Sequence, residues 1–111
     1  MTEIPTAVRN LVKARDRFLC VRCGMRGQHL HHRRTRAVVD EHQHCCCNLV
    51  LLCTRCHQWA HGQPFLARAD GIIVSKYALD IEAESVTAVS GSMHLDCQGG
   101  FTWVIPPWQS H

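Results

Sequence analysis

The spacing of apolar positions changes rhythm along the chain. Near the start, Val8, Leu11 and Val12 fall on one side of a 3.6-residue period while Arg9, Lys13 and Asp16 fall on others, which predicts a helix opened by Pro5-Thr6 and running to about Phe18. Cys20-Val-Arg-Cys23-Gly24 interrupts it as a tight turn, with Gly24 supplying a permissive backbone. His29–Arg33 reads as a short strand, and Thr35–Cys47, which has no period, as a loop that exposes Asp40-Glu41 and ends at Asn48. The apolar run Leu49–Leu52 then enters Cys53-Thr-Arg-Cys56, from which a helix leaves with His57 and His61 one turn apart. Gly62 and Pro64 end or kink that helix, and a further helical turn over Phe65–Ala69 closes at Asp70-Gly71.

Beyond Gly71 the period falls to two. Ile72–Val74, Val86–Val89, Met93–Cys97 and Phe101–Ile105 read as strands, the last two joined around Gly99-Gly100 and the middle pair around Gly91. Met93, Leu95 and Cys97 alternate with His94 and Asp96, and Phe101, Trp103 and Ile105 with Thr102 and Val104, so one face is expected in the core, Cys97 with it, and His94 in solvent. Pro106-Pro107 stops the last strand, and the tail to His111 is unassigned. There is no internal repeat or low-complexity linker. The pattern is that of one α+β domain over 1–111, divided into an N-terminal helix (1–19), a central region (20–70) and a C-terminal β-meander (71–111).

A chain of 111 residues buries a thin core and gains from a staple, which its eight cysteines can supply. Met1–Asn10 has no charged-then-apolar leader, so the expectation is a reducing cytoplasm and metal thiolates rather than disulfides. No apolar run approaches the roughly 20 residues a membrane helix requires. The net charge of +3 is unevenly spread: Met1–His61 holds ten Lys/Arg against four Asp/Glu, and Gly62–His111 two against five. A basic half that also carries the metal motifs suits a polyanion.

Two Cys-x-x-Cys pairs, Cys20/Cys23 and Cys53/Cys56, fit a tetrahedral four-cysteine zinc. The thirty positions from Cys23 to Cys53 exceed the spacing of a simple zinc ribbon because the segment from His31 to Asn48 lies between them. Within that frame, His57 and His61 can aim at one ion from a helical face and His31 can reach it from the facing strand, leaving open positions as a catalytic site needs. Neighbours on a strand point to opposite sides, so His32 stays off the metal and is free to act as a base. The Asn48 amide can tie the loop across the site and help orient an imidazole. Cys45–Cys47 read as small, partly buried residues, with an accessory metal site or redox sensitivity as alternatives, and His29 and His111 carry no chemistry.

His31-His32, Asn48 and His57, set between Cys-x-x-Cys knuckles, resemble the HNH (ββα-metal) endonucleases over about Phe18–Trp59, with His61 added as in the colicin-type members. The resemblance implies a ββα-metal, treble-clef-like core with a structural zinc held by the four knuckle cysteines. It also implies hydrolysis of nucleic acid around one divalent ion held by His31, His57 and His61, with His32 as general base and Asn48 as orienting residue. Small stand-alone members are typical of bacteriophages and bacteria, so the expected setting is the cytoplasm of a bacterial or phage-infected cell, with phage packaging or a host protein as a possible association. The chain departs from the family pattern in its loop, where His42-Gln-His44-Cys45-Cys46-Cys47 stands in place of the glycines of many relatives.

The expected activity is therefore metal-dependent cleavage of DNA, double-stranded above all, with Arg33, Arg34 and Arg36 holding flanking phosphates. The catalytic ion is left open among Mg2+, Mn2+, Ni2+ and Zn2+, since three imidazoles suit the last two and Mg2+ prefers oxygen. Two rival readings are a non-catalytic zinc module that binds nucleic acid or protein and a thiol-based or metal-sensing regulator.

Overall fold

The helix predicted from Val8, Leu11 and Val12 forms as α1 (Thr6–Arg15) in the computed structural model, which describes residues 3–109. Met1, Thr2, Ser110 and His111 lie outside the described residues, the last two in the tail that the sequence pattern leaves unassigned. The helix stops short of Phe18 because Asp16 is committed elsewhere. Its carboxylate accepts the Leu51 N–H at 2.9 Å and pairs with Arg15, which donates to the Cys46 and Leu49 carbonyls at 2.8 and 2.6 Å. Arg17 and Phe18 then take left-handed φ of 58° and 61°, turning the chain back toward the first knuckle.

β1 (His29–His32) pairs antiparallel with β2 (Leu49–Leu52), His31 opposite Val50 and His32 opposite Leu49. All four residues of β2 are buried because both of its faces are covered. Leu49 packs with Ile4, Val12 and Cys46 beneath α1, whereas Val50 and Leu52 face the main core with Ala60, Ala67, Ile72, Ile81 and Leu95. α2 (Thr54–Gly62) follows β2 directly, with Cys53 as its N-cap. Its last turn closes at Gln63, and α3 (Pro64–Ala69) starts at the proline, whose missing N–H costs nothing at a first helical position.

Two expectations from the period-two pattern are corrected. Ile72–Val74 is a bend, not a strand: the Val74 N–H bonds the Arg33 carbonyl at 2.9 Å and only a single parallel bridge, Arg34 to Val74, forms. Gly71 sets that bend with φ of 73°, and a Cβ there would overlap the Ser85 carbonyl. The second sheet is β3 (Val86–Ala88), β4 (Gly91–Leu95) and β5 (Phe101–Ile105), paired antiparallel in that order. β3 and β4 alternate as expected, with Val86, Met93 and Leu95 buried. β5, an edge strand, is largely exposed, with only Trp103 of its apolar residues half-buried. Among the described residues the architecture is thus a small α+β domain of three α-helices and two antiparallel sheets, and no helix is long and apolar enough to cross a membrane.

Candidate active site

The group of four knuckle cysteines forms where the two knuckles meet. Cys20 N–H bonds the Met25 carbonyl and Gly24 N–H the Cys20 carbonyl, with Gly24 at φ of 80°. The second knuckle is the start of α2, where the Cys53 sulfur accepts the Cys56 N–H at 3.4 Å. One sulfur from each knuckle, Cys23 and Cys53, lies 3.7 Å apart, and donor atoms of all four cysteines are within 4.8 Å of one another. Zinc–sulfur bonds of about 2.3 Å at tetrahedral angles set sulfurs about 3.8 Å apart, so the spacing is that of a structural zinc such as the sequence predicts. Burial works against ionisation of Cys53, but the Cys56 N–H and thiol, with the Cys23 and Cys20 thiols, hold it down at about 7. Arg22 donates to the Cys56 sulfur at 3.5 Å while its guanidinium lies 3.6 Å over the Trp59 ring.

The second group is His31, His57 and His61, with donor atoms again within 4.8 Å. The helical spacing of His57 and His61 brings their Nε2 atoms to 3.3 Å, close to the ~3.4 Å edge that two zinc–nitrogen bonds of about 2.0–2.1 Å would span. His31 points inward from β1, and its Nε2 donates to the Ile72 carbonyl at 2.9 Å. That bond fixes the tautomer and leaves Nδ1 with the lone pair, which is the outer support metal-ligating imidazoles use. Burial holds the His31 ring down at about 4, against the Ile72 carbonyl and with help from His57, His61 and His32. His57 is lowered too, by burial and by His61 and His29. His31 and His57 therefore favour the neutral, electron-donating form that a divalent cation requires.

His32 lies outside that triad. Its Nε2 is 3.0 Å from Nδ1 of His44, a loop residue that the spacing of motifs does not single out. Burial, with Arg36 and His44 beside it, lowers His32 to about 4, so the ring is neutral at neutral pH rather than half charged. A cleft of about 580 Å³ opens in front of His31, His32, Arg36, His57 and His61. No protein-family model, no curated protein and no solved structure matches the chain. The chemistry of this cleft is therefore what points to function.

Asn48 ties the loop as expected. Its Oδ1 accepts the Arg34 N–H at 2.8 Å, and its Nδ2 donates to the carbonyls of Gln43 at 3.0 Å and Arg34 at 3.4 Å. It thus grips the backbone next to His44, and reaches the His32 imidazole only through that residue.

Arg33 and Arg34, expected to hold flanking phosphates, have their guanidiniums buried and bonded within the protein instead. The alternation that turns His31 inward turns Arg33 inward as well, and its guanidinium, 1 % exposed, donates to the carbonyls of Gly71, Cys47, Glu84 and Ser85. Arg34 is drawn in by the Val74 bridge, donates from one terminal nitrogen to the Ala78 carbonyl and from the other to both Asp40 carboxylate oxygens, at 2.8 and 2.7 Å. Arg36 alone of the three is exposed, at the rim of the cleft. His29, to which the sequence pattern assigns no chemistry, stacks on His57 with ring centres 5.0 Å apart and bonds Thr54 Oγ1 at 3.0 Å.

Proposed function

We propose that the protein is an HNH-type, metal-dependent endonuclease that hydrolyses phosphodiesters in DNA, with β1, β2 and α2 as its ββα core. The observation that carries this reading is the division of labour in the cleft: three imidazoles converge, while a fourth, His32, stands beside them and is bonded to another ring instead. His31, His57 and His61 would hold the divalent ion, which when bound would supply positive charge to offset the negative charge that develops on a phosphodiester during hydrolysis.

The rest falls to the chain. His32 accepts the proton of the attacking water, its ring already neutral at the pH of a cell. His44 holds the ring at Nε2, and Asn48 holds the loop that carries His44. Arg36 steadies a flanking phosphate.

The test is plasmid nicking by the purified chain in Mg2+, Mn2+, Ni2+ or Zn2+, with EDTA as control. Cleavage is expected with at least one ion, and His32→Ala should lower it by about 10²-fold or more while leaving the fold and the zinc content unchanged. Retained cleavage in that variant would remove His32 as the base. DNA binding without nicking under every ion would favour a non-catalytic zinc module.

A further inference from the structure

We propose that His42, Cys45, Cys47 and Cys97 form a second structural zinc site, which clips the irregular 35–48 loop to the C-terminal sheet. Cys97 follows β4 and lies 50 positions from Cys47, yet the sulfurs of the two are 3.7 Å apart. His42 Nδ1 lies 3.7 Å from the Cys97 sulfur and 3.8 Å from that of Cys47, and donor atoms of all four residues, Cys45 included, fall within 4.8 Å of one another. Tetrahedral zinc with three sulfurs and one imidazole sets such edges at about 3.6–3.8 Å. The sulfurs stand well beyond the about 2.05 Å of a disulfide, so the three cysteines are thiols here, and the imidazole among them completes a four-ligand set.

The local backbone explains why three successive cysteines do not all converge. Cys45 is extended at the start of the 3-10 turn Cys46–Asn48, so Cys45 and Cys47 face one way and Cys46 the other, into the cluster of Ile4, Val12 and Leu49.

The consequence is positional. The residue between these ligands, His44, contacts His32, and the loop that carries it has no regular structure between Thr35 and Cys45. Asn48 secures that loop from the β2 side and the zinc would secure it from the β4 side. The assignment stands whether or not the cleft cuts DNA.

Metal analysis decides it, on full-length protein carrying His57→Ala and His61→Ala so that only the thiolate groups can retain an ion. Two tightly held zinc ions per chain are expected, falling to one in Cys97→Ser and returning to two in Cys97→His, which restores a ligand. Cobalt in place of zinc should give thiolate-to-metal absorption from seven sulfurs, reduced to that of four when Cys45, Cys47 and Cys97 are all changed to Ser. Amide exchange over 40–47 should become fast in Cys97→Ser while α2 stays protected. One zinc per chain in the His57→Ala, His61→Ala protein would overturn the proposal, as would two in Cys97→Ser or a disulfide among Cys45, Cys47 and Cys97 found by mass spectrometry without reductant.

Discussion

A guanidinium that donates to four carbonyls and is 1 % exposed cannot be shortened without leaving those carbonyls unpaired. Arg33 is in that position, and its bonds gather three distant stretches of backbone, at Cys47, Gly71 and Glu84-Ser85, around the end of β1. Arg33→Ala is therefore expected to destabilise the protein by about 3–5 kcal/mol, read as a lower urea midpoint. Arg36→Ala, the loss of an exposed cation, should cost no more than about 1 kcal/mol and, on the proposed function, should weaken DNA binding with a shallower salt dependence. The contrast shows what could be read from residues alone. Period-two alternation separates His31 from His32 correctly, and extended one step further it also buries Arg33, which a clustered charge argues against. His44 gives no signal in the sequence because its partner His32 is twelve positions away, across a loop without a period.

At the level of elements, β2 is the member on which the others are assembled. It is sandwiched between two apolar clusters, and its backbone is pinned by Asp16 through the Leu51 N–H. The Arg15–Asp16 pair has side chains only 1 % exposed, so Asp16→Ala strands both the guanidinium and the amide; a loss of about 3–5 kcal/mol is expected in chemical unfolding. Leu52→Ala, a cavity in the same strand, should cost about 2–5 kcal/mol. The α-helices were legible because Pro5, Gly62, Pro64 and Gly71 mark their ends. Of the C-terminal strands, the order and approximate bounds of β3, β4 and β5 were legible, and their burial less so. β5 alternates like a half-buried strand but sits at the sheet edge, where Phe101, Val104 and Ile105 stay exposed, whereas Ile72–Val74 is apolar enough for a strand and is bent by Gly71 instead.

For the molecule as a whole, one core cluster joins residues from Cys20 to Leu95, and the four knuckle cysteines bring two distant stretches of chain to one point. Cys20 and Cys23 lie between α1 and β1, Cys53 and Cys56 open α2, and besides the thiol contacts the knuckles are linked by Arg22, which donates to the Cys56 sulfur and lies over the Trp59 ring. In a chain of 111 residues, where site formation and folding are one equilibrium, removal of that zinc is expected to unfold the domain. The imidazole group differs, because His31 is already held by the Ile72 carbonyl and by strand pairing, and His57 and His61 by α2. Chelation should therefore occur in two stages under reducing conditions. A mild chelator should abolish nicking while the near-ultraviolet circular dichroism of the tryptophans stays native, and a stronger chelator or prolonged dialysis should then collapse that signal, with zinc restoring it. Cys53→Ser with Cys56→Ser should reach the unfolded signal with no chelator at all. His57→Ala with His61→Ala should keep a native spectrum and a melting temperature within a few degrees of wild type, since both rings are at least partly exposed and fill no core space. A single coincident loss of activity and structure on chelation would mean instead that one ion does both jobs.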